Sequence, residues 1–190
     1  LWRGGDAAQA QAWGQRSLEL RDGETKPDSV PEVGRARPKP FDALARDRNI
    51  IAFSLFGADE YYWECASANT ILASSLFPEW RCRFYCDPRI PKAVLDRLGR
   101  LGAQVAVGPA RNRPYDGLFW RFFAFDDPDV DVVLVRDVDS PFSLGERLAV
   151  EEWLASDFPF HVIRDHINHS EPMMAGLWGG WTGLLPQLRP

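Results

Sequence analysis

The stretch that decides the fold is DVVLVRDVDS, residues 131–140. Its apolar run has the length of a buried strand, and it ends in two carboxylates, Asp137 and Asp139, before Ser140 and a proline turn at Pro141. A strand that stops there brings both acids to the edge of a sheet, where open α/β folds bind ligands. Two hard oxygen donors so close together suit Mg²⁺ or Mn²⁺, especially a cation shared with a phosphate. The alternative is a strand end whose acids are only solvated.

Short apolar runs of strand length recur on both sides of this stretch. They are separated by glycine, proline and polar residues, which are typical of turns. The predicted strands cover residues 50–57, 80–85, 103–107, 130–135 and 158–163.

Helical patterns fill the gaps between these strands. One helix begins at Pro91, a position that proline tolerates, and another begins with the capping-box pattern Ser143-x-x-Glu146. Strands that alternate with helices predict an α/β fold of the Rossmann-like kind, with a mainly parallel sheet and helices on both faces. The predicted helices cover residues 61–74, 91–101, 118–125 and 143–154.

The N-terminal part, residues 1–48, differs from the rest of the chain in composition. Residues 6–20 are rich in alanine and glutamine and predict a short helix, and residues 21–48 carry four prolines among charges, which favours a linker. We therefore predict a helical and linker extension over residues 1–48 and one α/β domain over residues 49–190.

Composition excludes several classes of function. The net charge is −5 and the α/β part has no basic run, which argues against a nucleic acid partner. No apolar run approaches the roughly 20 residues of a membrane-spanning helix, so no transmembrane segment is expected. The three cysteines are sparse and read best as buried thiols in a reducing compartment, which predicts a cytoplasmic location.

A second polar cluster, HVIRDHINH at residues 161–169, contains all three histidines. His166 and His169 could face one ion if the segment were helical, but no cysteine accompanies them and the spacing matches no closed zinc site. A strand-to-loop segment is favoured, in which Arg164 binds a diphosphate. Asp165 would then orient Arg164, a histidine or a substrate hydroxyl. The alternative is an Arg164–Asp165 ion pair beside satisfied histidines.

Two further segments could contact a ligand. The glycines of MAGLWGGW, residues 174–181, allow close backbone approach, and tryptophan faces pack on sugar rings; a glycine-rich turn with core tryptophans is equally favoured. Ser54-Leu55-Phe56-Gly57 follows the first strand, where doubly wound folds bind mononucleotides. Arg121 could add a cation, although a surface arginine is favoured. The acids at 126–131 precede the fourth strand, and a solvated turn at its opposite end is expected.

Together these residues resemble the GT-A-type nucleotide-sugar glycosyltransferases, which carry a DxD motif. The resemblance rests on the SLFG loop, on the hydrophobic strand ending in Arg136-Asp137-x-Asp139-Ser140, and on His161-x-x-Arg164-Asp165-His166 with Ala175-Gly176-x-Trp178-Gly179. The downstream run is similar to a bacterial group of that superfamily. The resemblance spans roughly residues 49–180.

The resemblance implies a set of roles. A Mn²⁺ or Mg²⁺ ion would bridge the diphosphate, with Asp139 on the metal and Asp137 on the metal or the ribose. The implied nucleotide-binding set also includes Ser54, Leu55, Gly57 and Arg136. Arg164, Asp165, Gly176 and Trp178 would face the donor sugar and the acceptor, and Asp165 and His166 are the candidate general bases.

The function implied is metal-dependent transfer of a sugar from a nucleotide-sugar donor to a saccharide or other hydroxyl acceptor. One alternative is a non-catalytic module that binds sugar nucleotides or carbohydrate. Another is a DxD phosphatase, in which the first aspartate is a nucleophile, but that motif opens its domain, whereas a long α/β stretch precedes it here. Because the chain starts at Leu1 and not at methionine, we expect a fragment of a longer protein. Because it ends soon after Gly179, we expect the fold to be truncated at its C-terminus.

Overall fold

The structure, a computed structural model, describes residues 6–24, 37–108, 115–164, 166, 169, 171 and 173–189. An N-terminal helix, α1 (Ala7–Glu24), precedes the α/β part. The elements that follow are β1 (Asn49–Leu55), α2 (Glu60–Leu76), β2 (Arg81–Cys86), α3 (Lys92–Arg100), β3 (Gln104–Val107), the 3₁₀ segment Asp116–Asp126, β4 (Val132–Arg136), α4 (Leu144–Ala155), β5 (Phe160–Val162) and β6 (Leu177–Trp181).

The strands form one six-stranded sheet in the order β3-β2-β1-β4-β6-β5. β1 pairs in parallel with β2 and β4, and β2 with β3, whereas β6 runs antiparallel to both of its neighbours. The chain leaves β1 toward β2 and β3 and returns to the other side of β1 as β4, so the strand order reverses between β1 and β4. The prediction of a Rossmann-like, mainly parallel sheet is confirmed.

The two central strands owe their place to apolar residues on both faces. Every residue of β1 and of β4 is buried, as expected for parallel strands covered on both sides. Alternate side chains point to opposite faces. Phe53 and Leu134 pack on the face covered by α2, α3 and α4, whereas Ala52 and Val135 pack on the face covered by the 3₁₀ segment.

Of the segment 174–181, for which a ligand contact and a glycine-rich turn with core tryptophans were equally favoured, residues 177–181 form strand β6, and both tryptophans are buried. The glycines of β6 are required because neighbouring side chains lie over them: a Cβ atom on Gly179 would come within 2.7 Å of Leu134 Cδ2 and 2.9 Å of the Val133 carbonyl oxygen. Gly180 is covered in the same way by the ring of Phe160. The glycines that favoured a turn in the sequence therefore serve close packing within a strand.

The acids before β4 lie at the amino end of the strand, as predicted, but Asp131 is not solvated. It is buried and paired with Arg48 at 2.5 Å and with Lys39 at 2.6 Å. The hydrogen bond from Arg48 is the main cause that lowers the pKa of Asp131. This pair ties the segment before β1 to the start of β4.

Residues 37–48 contact the α/β part directly. Phe41 stacks on Trp80 with ring centroids 5.5 Å apart, and Arg46 Nε donates to the Trp80 carbonyl oxygen at 2.9 Å. Of the linker predicted over residues 21–48, residues 25–36 lie outside the described part of the chain, so the domain boundary at residue 48 stays a prediction. No helix in the described ranges is both long and apolar enough to span a bilayer.

Cys82 and Cys86 are free and buried, and burial raises the pKa of each thiol to about 12. Cys65 is half-buried and also free. The expectation of unlinked thiols in the core thus matches two of the three positions.

Candidate functional site

The DxD turn follows β4 at the carboxyl edge of the sheet. The Ser140 amide donates to the Asp137 carbonyl oxygen at 3.3 Å, which closes the turn. Asn69, a buried residue of α2, holds it from outside, because its Nδ2 donates to the carbonyl oxygens of Val138 at 2.8 Å and Ser140 at 3.2 Å. The position of Asp139 is thereby determined by the backbone of a turn that α2 fixes in place.

Arg121 supports Asp137 from beneath. Its Nη1 donates to Asp137 Oδ1 and to the Arg136 carbonyl oxygen, the latter at 3.2 Å. The side chain of Arg121 is 5% exposed, against 43% for Asp137. The expectation of a surface arginine is therefore wrong. The 3₁₀ segment packs its aromatic residues on the sheet, and this packing turns Arg121 inward.

A cleft of about 330 Å³ opens between the ends of β1 and β4. This is the point where the strand order reverses, and open α/β sheets bind ligands at such points. The acid Asp139 is exposed at its rim. The other residues that line it are Ser54, Phe56, Tyr62, Leu118, Arg121, Asp137 and Val138.

The SLFG loop divides between the cleft and the core. Ser54 lines the cleft, and its Oγ accepts a hydrogen bond from the Arg121 amide at 3.0 Å. The side chain of Leu55 points the other way and is fully buried among the residues under α2 and α3. Gly57 has φ +95°, which favours glycine, and it borders a smaller cavity of about 230 Å³ beside Asp87.

Arg136 lies on the opposite face of the sheet from Asp137, because successive strand residues alternate. It is fully buried, and its Nε lies 3.5 Å from Glu146 Oε1. Glu146 also closes the capping box of α4 by accepting from the Ser143 amide at 2.9 Å. Arg136 therefore contacts the start of α4 and does not line the cleft.

Gly176 and Trp178 lie near the DxD turn in different ways. Gly176 contacts Asp137 so closely that a Cβ atom there would overlap the carboxylate and lie 2.9 Å from the Asp137 amide nitrogen. Trp178 is buried and stacks on Phe125 with ring centroids 5.0 Å apart. Gly176 thus borders the site, whereas the ring of Trp178 belongs to the core under the 3₁₀ segment.

The arginine–histidine segment follows β5, which runs parallel to β4, so it starts from the same edge of the sheet as the DxD turn. Arg164 Nη2 lies 3.9 Å from Asp22 Oδ1 of α1, and the rings of His166 and His169 have centroids 5.6 Å apart. These three residues border a separate cavity against α1 and are not among the residues that line the cleft. Asp165 lies outside the described residues.

His161 has a structural environment. It stacks on Trp153 with ring centroids 4.4 Å apart, and among the described residues nothing hydrogen-bonds to its Nε2. Burial, and secondarily the charge of Arg136, lower the pKa of His161 to about 3. The ring is therefore neutral at physiological pH.

Carboxylates near the cleft are few. Within the described ranges, no group of three or more His, Cys, Asp or Glu side chains converges as a metal site. A cation at the cleft would thus depend on Asp137 and Asp139 for its protein ligands.

Sequence reasoning missed or misplaced several residues of this region. Asp87 follows β2 directly, in the same position relative to its strand as Asp137 after β4, and it is buried. This shared position is a pattern in the sequence that places Asp87 at the carboxyl edge of the sheet. Tyr62 lies one turn into a helix that starts beside the β1 loop, and its hydrophobic ring gave no distinctive signal. Arg121 is the lone charge in a run of aromatic residues, a pattern that indicates a buried and paired arginine.

Comparison with known proteins gives a likeness at the level of fold. No known sequence family and no curated protein sequence matches the chain. Among solved structures, the chain is similar to the mannosyltransferase PcManGT from Pyrobaculum calidifontis in complex with GDP-Man and Mn²⁺, with a TM-score of 0.54 and 10% sequence identity. The likeness covers 92% of this chain and 55% of that one, so the chain spans about half the length of that protein. The likeness is one of fold, and the fold of this chain is a Rossmann-like α/β fold.

Proposed function

We propose that this chain is a GT-A-type, DxD-containing glycosyltransferase domain that binds a nucleotide-sugar with a divalent cation. The observation that carries the proposal is the cleft between β1 and β4, which brings Asp137, Asp139 and the buried Arg121 together at the point where the strand order reverses. The fold likeness to PcManGT supports the same function.

The residues at the cleft fit a hard divalent cation. Mg²⁺ and Mn²⁺ commonly use one or two carboxylates and complete their coordination with waters and phosphate oxygens. Asp139 is exposed at the rim and can offer its carboxylate to the cation. One oxygen of Asp137 is already engaged by Arg121, so its other oxygen would contact the cation or a ribose hydroxyl.

The apolar side chains of the cleft suit a nucleoside. Phe56, Tyr62 and Leu118 line it, and aromatic rings stack on nucleobases. The base would pack on these side chains, and the diphosphate would lie at the acids. Tyr62 is 36% exposed and therefore accessible to a bound base.

Transfer requires that negative charge be stabilised on the departing diphosphate and that the acceptor hydroxyl lose its proton. A bound cation would supply the first requirement as a Lewis acid on the phosphate oxygens. Arg121 keeps Asp137 in a single orientation, so the site needs little reorganisation during the reaction. For the second requirement we propose His166 or Asp165 as the general base, with Arg164 beside the donor or the acceptor.

A thermal-shift screen of UDP-, GDP- and CDP-sugars, each with and without Mn²⁺, tests this proposal. We expect stabilisation only when nucleotide-sugar and metal are both present, and we expect Asp139→Ala to abolish it. The matched control is Asp129→Ala, because Asp129 is 90% exposed at the opposite end of β4. Stabilisation without metal that survives in Asp139→Ala would refute the proposed role of the DxD turn.

A non-catalytic sugar-nucleotide-binding module is the second candidate. It is favoured by one observation: His166 does not line the cleft among the described residues, so the candidate base lies apart from the acids. Release of the nucleoside diphosphate from the stabilising donor decides between the two. Metal-dependent release supports a transferase, and tight binding without release supports the module.

A further inference from the structure

A polar cavity separates α1 from the α/β part. It has a volume of about 310 Å³ and is lined by Gln11, Gly14, Gln15 and Leu18 of α1 and by Arg164, His166 and His169. The four helix residues are spaced i, i+3, i+4 and i+7, so they share one face of α1. That face is directed at the segment after β5.

The composition of this face is unusual for a helix that lies on a domain. Such helices normally bury an apolar stripe, but in α1 Ala10 alone is buried among the described side chains. The face that borders the cavity presents two amides, a glycine and the half-buried side chain of Leu18. Glycine inside a helix costs about 1 kcal/mol relative to alanine, and Gly14 borders the cavity.

Ion pairs hold the helix over the cavity. Arg21 pairs with Glu171, and Asp22 lies 3.9 Å from Arg164. The described carboxylates Glu171 and Asp22 are thus paired with arginines, and one of these arginines, Arg164, also lines the cavity. The rest of the lining consists of two imidazoles, two amides, a glycine and the side chain of Leu18.

These groups define the chemistry of a ligand. A guanidinium binds phosphate or carboxylate oxygens in a fork, and glutamine amides both donate to and accept from hydroxyl groups. The volume lies at the lower end of the range for small-molecule sites. An anionic, hydroxyl-rich molecule of about one sugar ring satisfies both the charge and the size.

The cavity is linked to the candidate active site along the chain. Arg164 begins the connection between β5 and β6, and Gly176, just before β6, contacts Asp137. A residue that lines the cavity and a residue that borders the DxD turn thus belong to the same connection.

We propose that this cavity is the acceptor subsite and that it selects a saccharide bearing a phosphate or a carboxylate group. The inference rests on the proposed transferase function and adds the class of acceptor. It also gives α1 a direct part in substrate binding.

Isothermal titration of the full chain with glucose 6-phosphate, glucuronic acid, glucose and inorganic phosphate tests the proposal without nucleotide or metal. At least one of the two anionic sugars should bind about tenfold more tightly than glucose and than phosphate. A preference for glucose 6-phosphate identifies phosphate as the recognised group, and a preference for glucuronic acid identifies carboxylate. Equal affinity for glucose, or phosphate binding as tightly as either sugar, would overturn the proposal.

Variants locate the binding. Gln15→Met and Arg164→Gln should each weaken the preferred anionic sugar about tenfold. Gln9→Met, on the same helix but outside the lining, and Arg100→Gln, on α3, should leave its affinity unchanged. Affinity that survives both Gln15→Met and Arg164→Gln would place the ligand elsewhere and refute the inference.

The two proposals fail separately. Asp139→Ala should keep the anionic-sugar affinity, because Asp139 does not line this cavity. If nucleotide-sugar and Mn²⁺ stabilise the chain but no anionic sugar binds, the acceptor subsite is wrong and the transferase proposal stands. If no nucleotide-sugar stabilises it, the acceptor role fails together with the transferase proposal, whatever the cavity binds.

Discussion

Arg121 places a buried positive charge beneath an acid that must face a ligand. Its guanidinium reaches Asp137 and the Arg136 carbonyl oxygen, while its backbone amide donates to Ser54. One residue therefore links the ends of β1 and β4 on either side of the cleft. A charge removed from water in this way is stable only while its partners are present.

Arg121→Met keeps most of the side-chain length but removes the charge. We expect it to lower the free energy of unfolding by about 2–3 kcal/mol, less than for a fully buried pair because Asp137 is half-exposed. Urea unfolding measures this change. Arg100→Met, at an exposed position of α3, should change the same quantity by no more than about 0.5 kcal/mol. Similar values for the two variants would contradict the supporting role of Arg121.

Gly176 tests the position of Asp137 from the other side. A Cβ atom there overlaps the carboxylate, so Gly176→Ala should displace Asp137 and abolish the metal-dependent thermal shift with a nucleotide-sugar. Gly145→Ala is the matched control, because a Cβ at Gly145 meets only Ser143 Oγ, at an ordinary 3.7 Å. An undiminished shift in Gly176→Ala would show that the orientation of Asp137 does not matter for binding.

Among the elements, β6 shows how packing can require glycine in the middle of a sheet. It lies between β4 and β5, and its two glycines let Leu134, His161 and Phe160 fold over its backbone. Strand propensity alone would place neither glycine there.

Two glycine-to-alanine changes should have opposite effects on stability. Gly179→Ala places a Cβ 2.9 Å from the Val133 carbonyl oxygen, so β4 or β6 must shift, which should lower the free energy of unfolding by about 1–3 kcal/mol. Gly99→Ala, in helix α3 with nothing within 4 Å of the added Cβ, should raise it by about 0.5–1 kcal/mol. Denaturant unfolding measures both changes, and a stable Gly179→Ala would contradict the packing argument.

The elements that the sequence predicted well are those whose residues are apolar on both faces. β1 and β4 were predictable from their apolar runs, and so was the position of the DxD turn after β4. Period-two alternation also predicts the orientation of Arg136: since Asp137 faces the cleft, Arg136 must face the opposite side of the sheet. Strand β6 could not be predicted from the sequence, because its glycines are required by side chains of other strands that cover them in the fold.

For the whole molecule, His161 makes stability depend on pH. Its pKa falls from an ordinary 6.5 to about 3 in the folded chain, so between these values the unfolded chain binds one more proton. The neutral ring contributes fully to the free energy of unfolding above pH 6.5, and this contribution is lost progressively as the pH falls toward 3. Folding stability should therefore decrease on acidification.

The free energy of unfolding at pH 7, 6 and 5 tests this dependence. His161 alone should contribute a slope approaching about 1.4 kcal/mol per pH unit at the acidic end. His161→Phe keeps a ring against Trp153 and should lack that part of the slope. Equal slopes in the two proteins would show that His161 is not buried as described.

Four parts of the fold meet at the cleft between β1 and β4. β1 and β4 supply its floor, α2 fixes the DxD turn through Asn69, and the 3₁₀ segment supplies Arg121. What the sequence could not show was this convergence, since Asn69 and Arg121 reach the turn only in the folded chain. The functional proposal depends on the cleft binding a metal-bridged diphosphate.

The most direct measurement is isothermal titration of the nucleotide-sugar selected by the screen, with and without Mn²⁺, into wild-type protein, Asp139→Ala and Asp129→Ala. Binding should require Mn²⁺ and weaken by at least about tenfold in Asp139→Ala, while Asp129→Ala binds as the wild type does. Binding that is independent of Mn²⁺, or equal in Asp139→Ala and the wild type, would contradict the proposed cation site at the end of β4.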